Sequence, residues 1–150
     1  MKKRWLAGVV FAALGAFVAL AGSSIVQGAA QEAAGGTVIG TVRLSRQVMA
    51  NGQALPAGTY QVRLTATEAS PVAAGQTQHL ERWIEFLQAG QMKGREVASI
   101  VPDSEISQVA DGARPRPGAP RVELLKGGDY LRVWIYRDGN HYLIHLPVGA

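Results

Sequence analysis

Tyr130-Leu-Arg-Val-Trp-Ile-Tyr-Arg-Asp-Gly-Asn-His-Tyr-Leu-Ile-His-Leu146 carries the strongest hairpin signal in the chain. Asp138-Gly139 is a two-residue hairpin signal, because a tight hairpin turn needs positive φ, which Gly adopts freely and Asp tolerates. With that turn, Tyr136 stands opposite His141, Trp134 opposite Leu143, and Arg132 opposite His145. One face carries Leu131, Val133 and Ile135 against Tyr142, Ile144 and Leu146, which is a core face. The other carries Tyr130, Arg132, Trp134, Tyr136, His141, Leu143 and His145.

Upstream of that hairpin the same grammar repeats. Arg121 to Leu125 turns at Gly127-Gly128 into the strand beginning at Tyr130. Arg114-Pro-Arg-Pro-Gly-Ala-Pro120 is too rich in Pro for a helix or a central strand and reads as an extended surface connection. Asp103 is placed to cap a short helix through Ala110, with Gly112 ending it. Thr59 to Ala66 alternates strictly, with Tyr60, Val62, Leu64 and Ala66 on the dry side. Before it, Val38, Val42, Leu44 and Val48 share one side of an extended segment, and Asn51-Gly52 with Pro56-Ala57-Gly58 supplies the turn. Thr67 to Gln78, with Pro71 and Gly75, reads as a loop.

One element has two readings. Leu80, Trp83, Ile84 and Leu87 fit the helical i, i+3, i+4, i+7 template. The same residues also fit a strand with Leu80, Ile84 and Phe86 on one side, turning at Ala89-Gly90. The hairpin is preferred, because Glu96 to Val101 is strand-like and needs a partner. The expected class is all-β: an antiparallel β-sandwich or partly closed small barrel of about seven strands, with one short helix.

The other end of the chain carries an address. Lys2, Lys3 and Arg4 precede an apolar run from Trp5 to Ala21, and small residues follow around Gly28-Ala29-Ala30. This is the order of a bacterial secretory signal peptide. Residues 1–30 are expected to be removed, leaving 31–36 as a flexible lead and 37–150 as a single β domain. The alternative is a retained inner-membrane anchor with the domain in the periplasm, since no charge interrupts Trp5 to Gln31. A membrane contact is expected only in that uncleaved case.

Three of the fifteen Lys and Arg lie in this leader and none of the eleven Asp and Glu, so the net charge falls from +4 to +1 without it. A charge so near neutral gives no electrostatic reason to expect nucleic acid as a partner. There is no Cys, so packing and sheet hydrogen bonds carry the fold without disulfides, and neither a thiolate metal site nor a lipoprotein anchor is open to the chain.

The mixed second face of the last hairpin is the candidate site. Aromatic bodies with polar tips, set among Arg and His, suit stacking on flat ligands or sugars, or docking of a partner. The rival reading has Trp134 and Tyr136 covered by the Pro-rich segment or by a second sheet. His141 and His145 lie about 13 Å apart along one strand and cannot share an ion. His79 has no carboxylate at a motif spacing, so neither metal nor cofactor is expected. No Gly-x-Ser-x-Gly elbow occurs, and the pairs Glu81 with Glu85 and Asp103 with Glu105 read as solvated charges or a helix cap. Gly127-Gly128 sits inside a hairpin, where it cradles no phosphate.

The phrase Asn51-Gly-Gln-Ala-Leu-Pro-Ala-Gly-Thr-Tyr60, running into Gln61-Val-Arg-Leu64, resembles a turn of exported bacterial β-sandwich proteins of the prealbumin-like and Ig-like kind. Together with Trp83-Ile-Glu-Phe-Leu87, Gly94-Arg-Glu-Val97 and Leu124-Leu-Lys-Gly-Gly-Asp-Tyr-Leu-Arg-Val-Trp134, it resembles small uncharacterised secreted proteins of bacteria. The resemblance implies a fold and brings no active-site residues with it. The functional expectation is an exported, non-catalytic binding or structural module of the cell envelope, with an envelope protein or glycan as partner, working in the periplasm or outside the cell. The alternatives are a small-ligand carrier with an apolar barrel interior and, third, an envelope hydrolase.

Overall fold

The computed structural model describes residues 36–68 and 80–149. The leader, residues 31–35 of the lead, His79 and nearly all of the expected loop lie outside the described residues. The strands are β1 (Gly36–Leu44), β2 (Val48–Ala50), β3 (Gln53–Leu55), β4 (Gly58–Glu68), β5 (Glu81–Gln88), β6 (Gln91–Pro102), β7 (Arg121–Leu124), β8 (Tyr130–Arg137) and β9 (Asn140–Pro147), with a four-residue helix α1 (Ile106–Val109) after β6. Seven form one curled antiparallel sheet in the order β1-β4-β5-β6-β9-β8-β7, while β2 and β3 form a separate small ribbon. The described residues form an all-β half-barrel with one short helix.

Three turns explain much of this connectivity. Asn51-Gly52, Ala89-Gly90 and Asp138-Gly139 each hold both residues at positive φ, so each closes a tight hairpin whose twist matches its strands. The β8–β9 register is the expected one, with Tyr136 opposite His141, Trp134 opposite Leu143 and Arg132 opposite His145. Residues 81–88 are strand, paired with β6 around Ala89-Gly90. Leu80 falls outside that strand and is exposed, contrary to its expected place beside Ile84 and Phe86.

Two further expectations near the start of the domain are corrected. Ile39, rather than Val38, enters the core with Val42 and Leu44. A bulge between Val38 and Gly40 adds a residue, which reverses the facing of the side chains before it. The segment also breaks at Ser45-Arg46-Gln47, so Val48 belongs to the β2–β3 ribbon closed by Asn51-Gly52. The Pro56-Ala57-Gly58 turn is a second, distinct device. The Tyr60 hydroxyl donates to the Pro56 carbonyl at 2.8 Å and pins this turn onto β4. The Tyr60 ring meets Phe86 edge-on, and desolvation raises its pKa.

The concave side of the curl is filled. Val62, Ile84, Phe86, Ala98, Val133, Ile144 and Leu146 are all fully buried there. The ribbon plugs one end of the curl through Val48, Ala50 and Leu55. Leu55 and Ala50 crowd Gly94 so closely that a Cβ there would lie 3.0 Å from Leu55 Cδ2. Burial fades toward the other end, where Leu64, Arg82 and Ile100 are half-buried and Ala66 is exposed.

The sheet does not close. At the seam, Gly40 of β1 is pressed against the far end of the sheet, where a Cβ would lie 3.2 Å from Pro120 Cγ and 3.4 Å from Ile135 Cγ2. Arg137 reaches across and donates to the Val38 carbonyl on the β1 edge.

Candidate functional site

The outer face of β8 and β9 divides into a sealed half and an open half. Trp134 and His141 are 0% and 1% exposed, and with Leu143 they form a second small core under Val101, Ile106 and Ala110. What covers Trp134 is therefore the helical segment, a covering the sequence did not single out. Ile106 and Ala110 are the buried residues of a turn otherwise facing water. The Pro-rich segment is not simply extended: Arg116 bridges Ala119 around Pro117-Gly118, with Gly118 at positive φ, and Pro115 is buried.

A chain of polar groups fastens this roof. The Trp134 indole N–H donates to His141 Nδ1 at 2.9 Å. Since the indole only donates, Nδ1 is the acceptor and the ring proton lies on Nε2, which donates to Asp103 Oδ1 at 2.8 Å. The hydrogen bond from His141 holds the Asp103 carboxyl below its usual range; desolvation opposes it, and the charge of Arg114 helps. The Asp103 amide also donates to the Gly139 carbonyl at 3.0 Å. This corrects the expected helix cap. Glu105 occupies the N-cap position with no side-chain cap bond, and the helix spans Ile106–Val109 rather than reaching Ala110. Asp103 is drawn instead to a partner 38 residues away.

The other singled-out residues are spread along the hairpin. Arg132 lies half-buried over the Trp134 ring at 4.9 Å, its Nε donating to Glu123 at 2.8 Å and its Nη2 to the Asp111 carbonyl at 3.0 Å. His145, opposite Arg132, is exposed, and desolvation followed by the Arg132 charge lowers its pKa. Tyr130 is exposed at the far end of β8. Tyr136 is half-buried and stacks on His141 at 4.5 Å between centroids. A ligand reaching Trp134 or His141 would first have to displace the roof, so the six residues do not form one open surface.

Tyr136 does join a different feature. A groove of about 460 Å³ runs along the seam, lined by Val38–Thr41 of β1, by Pro117 and Gly118, and by Tyr136, Arg137 and Asp138. It offers a backbone edge, an aromatic ring and an ion pair, Arg137 Nε standing 3.2 Å from Asp138. No sequence spacing announces it, because β1 and β8 lie about a hundred residues apart and meet only through the curl. The Asp138-Gly139 turn was the one visible signal nearby. Among the described residues, no group of three or more His, Asp or Glu side chains is placed to hold a metal ion. The fold and the groove define a class, an all-β half-barrel with a cleft at its open seam. Comparison with family models, curated proteins and solved structures returned no match.

Proposed function

We propose that this chain is an exported, non-catalytic binding or structural module of the bacterial cell envelope, which takes an envelope protein or glycan in the seam groove. The observation that carries the reading is the groove itself, a cleft of about 460 Å³ where the sheet stops short of closure beside Tyr136 and Arg137. An aromatic face next to charged hydrogen-bonding groups is the composition that sugars and peptides both use. The leader supports the placement outside the cytoplasm. Both ring nitrogens of His141 are engaged, by Trp134 and by Asp103, which leaves neither to activate a nucleophile and weighs against the hydrolase reading. The carrier reading finds the concave interior filled by side chains, so a small ligand has only the seam and the open end to occupy.

A photo-crosslinking residue placed at Tyr136 tests the reading in intact cells, with the same residue at exposed Met92, at the opposite end of the curl, as control. The expected outcome is adducts of defined mass from position 136 and not from 92. Equal yields from both positions would sink it.

A further inference from the structure

His141 touches two features of the outer face at once. The Trp134 indole N–H donates to its Nδ1 at 2.9 Å, and its Nε2–H donates to Asp103 Oδ1 at 2.8 Å. Its ring also stacks on Tyr136, 4.5 Å between centroids and 28° between planes, and Tyr136 lines the seam groove. One buried imidazole therefore joins the roof, the small core beneath it and a wall of the groove.

The Trp134 bond admits only one state of this ring. An indole N–H offers no lone pair, so Nδ1 must keep its own free. A second proton on the ring would set two donors against each other, beside an indole that is buried from water. The Asp103 bond responds in the opposite sense, because an imidazolium donates to a carboxylate more strongly than a neutral imidazole does. That carboxyl is held below its usual range by the His141 hydrogen bond, against desolvation and with help from the Arg114 charge, so it stays ionised while the ring takes up its proton. It is also half-exposed, which leaves a charged pair there in contact with solvent.

Few other charges face the ring. The α1 residues Ile106–Val109 carry none, and β6 meets His141 with Val101. Glu105 and Asp111 flank the helix in solvent, and Asp138 is exposed in the hairpin turn. Arg114 reaches Asp103 at 3.3 Å. On β8, Arg132 lies 4.9 Å over the Trp134 ring and is held by Glu123. On β9, Leu143 and then His145 follow His141 on the same face. Among the described residues, Asp103 is the carboxylate that His141 reaches.

We propose that His141 is a proton-operated latch between the roof and the groove: neutral, it ties Trp134 to Asp103, and in acid it releases the indole, turns to Asp103 as an imidazolium and shifts its stack on Tyr136. The step takes one proton from solvent onto Nδ1; one hydrogen bond breaks and another becomes an ion pair. The latch itself needs no ligand. Its consequence, a groove wall that responds to pH, rests on the binding-module reading.

The test is NMR of the full chain without ligand, between about pH 8 and pH 5, the range in which imidazole changes charge. At the upper end His141 should show the Nε2–H tautomer, with the Trp134 indole N–H downfield. On acidification that resonance should move upfield in one step together with the Tyr136 ring signals and proton uptake at His141 Nδ1. The Trp83 indole and the core amides of Val133 and Ile144 should stay in place, which separates the latch from unfolding. His141→Gln, an amide that takes up no proton, should abolish the step, and His145→Gln should leave it unchanged. Should His141→Gln fail to fold, the ring nitrogens of the parent still decide the matter. An indole resonance fixed across the range, a step that survives His141→Gln or follows His145 instead, or an Nδ1–H tautomer at pH 8 would overturn the proposal. Crosslinking from Tyr136 reads the groove whichever way this falls, so the two failures are distinguishable.

Discussion

The two faces of the β8–β9 hairpin share strands and register yet are held in different ways. Inward, Leu131, Val133, Ile135, Tyr142, Ile144 and Leu146 enter a core fed by most of the other strands. Outward, Trp134 and Leu143 pack with Val101, Ile106 and Ala110 in a small separate core, and His141 is held beside it by Trp134, Tyr136 and Asp103. The inner face is secured by many weak contacts, so no single partner is essential to it. The outer face depends on a line of three groups, indole to imidazole to carboxylate, in which each bond has one supplier. The lesson is that burial alone does not tell how a surface is secured: one face rests on area, the other on directed hydrogen bonds.

The largest effect should come from the inner face. Ile144→Ala removes a fully buried side chain from the centre of the sheet and should cost about 2–5 kcal/mol, read by urea unfolding. A loss under 1 kcal/mol would mean that the curl is loosely filled. His141→Phe keeps an aromatic ring of similar size but leaves the Trp134 N–H buried without an acceptor, at a cost of about 1–3 kcal/mol. The indole N–H resonance should move in the same variant. An unmoved resonance would mean that this bond does not form in solution.

The smallest effect should lie in how the stability of the roof depends on pH. The carboxyl of Asp103 is held below its usual range in the folded chain, so what it contributes is fully present above the unfolded carboxyl pKa of about 4. It is lost as the pH falls through the lower folded value. Asp103→Asn should therefore be less stable than the parent near neutral pH, with the gap closing in acid. A gap of the same size at pH 7 and pH 3 would show that the charge of Asp103 plays no part in holding the roof. Ile144→Ala should show no such narrowing.

How much of this was legible depends on the distance over which each decision is made. The register of β8 and β9 follows from Asp138-Gly139 within a few residues, because backbone φ and side-chain alternation are local. The strand at 81–88 was recoverable by the same logic, through its partner and the Ala89-Gly90 turn. The bulge at Val38–Gly40 was not, since an extra residue in an edge strand leaves no mark on composition. Asp103 departs from its expected cap for a related reason: a local cap and a bond to His141 compete for one carboxylate, and only packing decides between them. Of the residues set aside for binding, Tyr136 reaches the groove, while Trp134 and His141 are closed under a segment of which little looks like a lid.

Legible in the residues alone are the all-β class, the hairpins and the inward side of β4, β8 and β9. These follow from turn chemistry and a period of two, both written in neighbouring residues. Settled only by packing are where the sheet stops short of closing, which apolar segment roofs the outer face, and which side of β1 turns inward before its bulge. Those outcomes rest on curvature accumulated over seven strands and on contacts between residues far apart in the chain, and no local pattern encodes either.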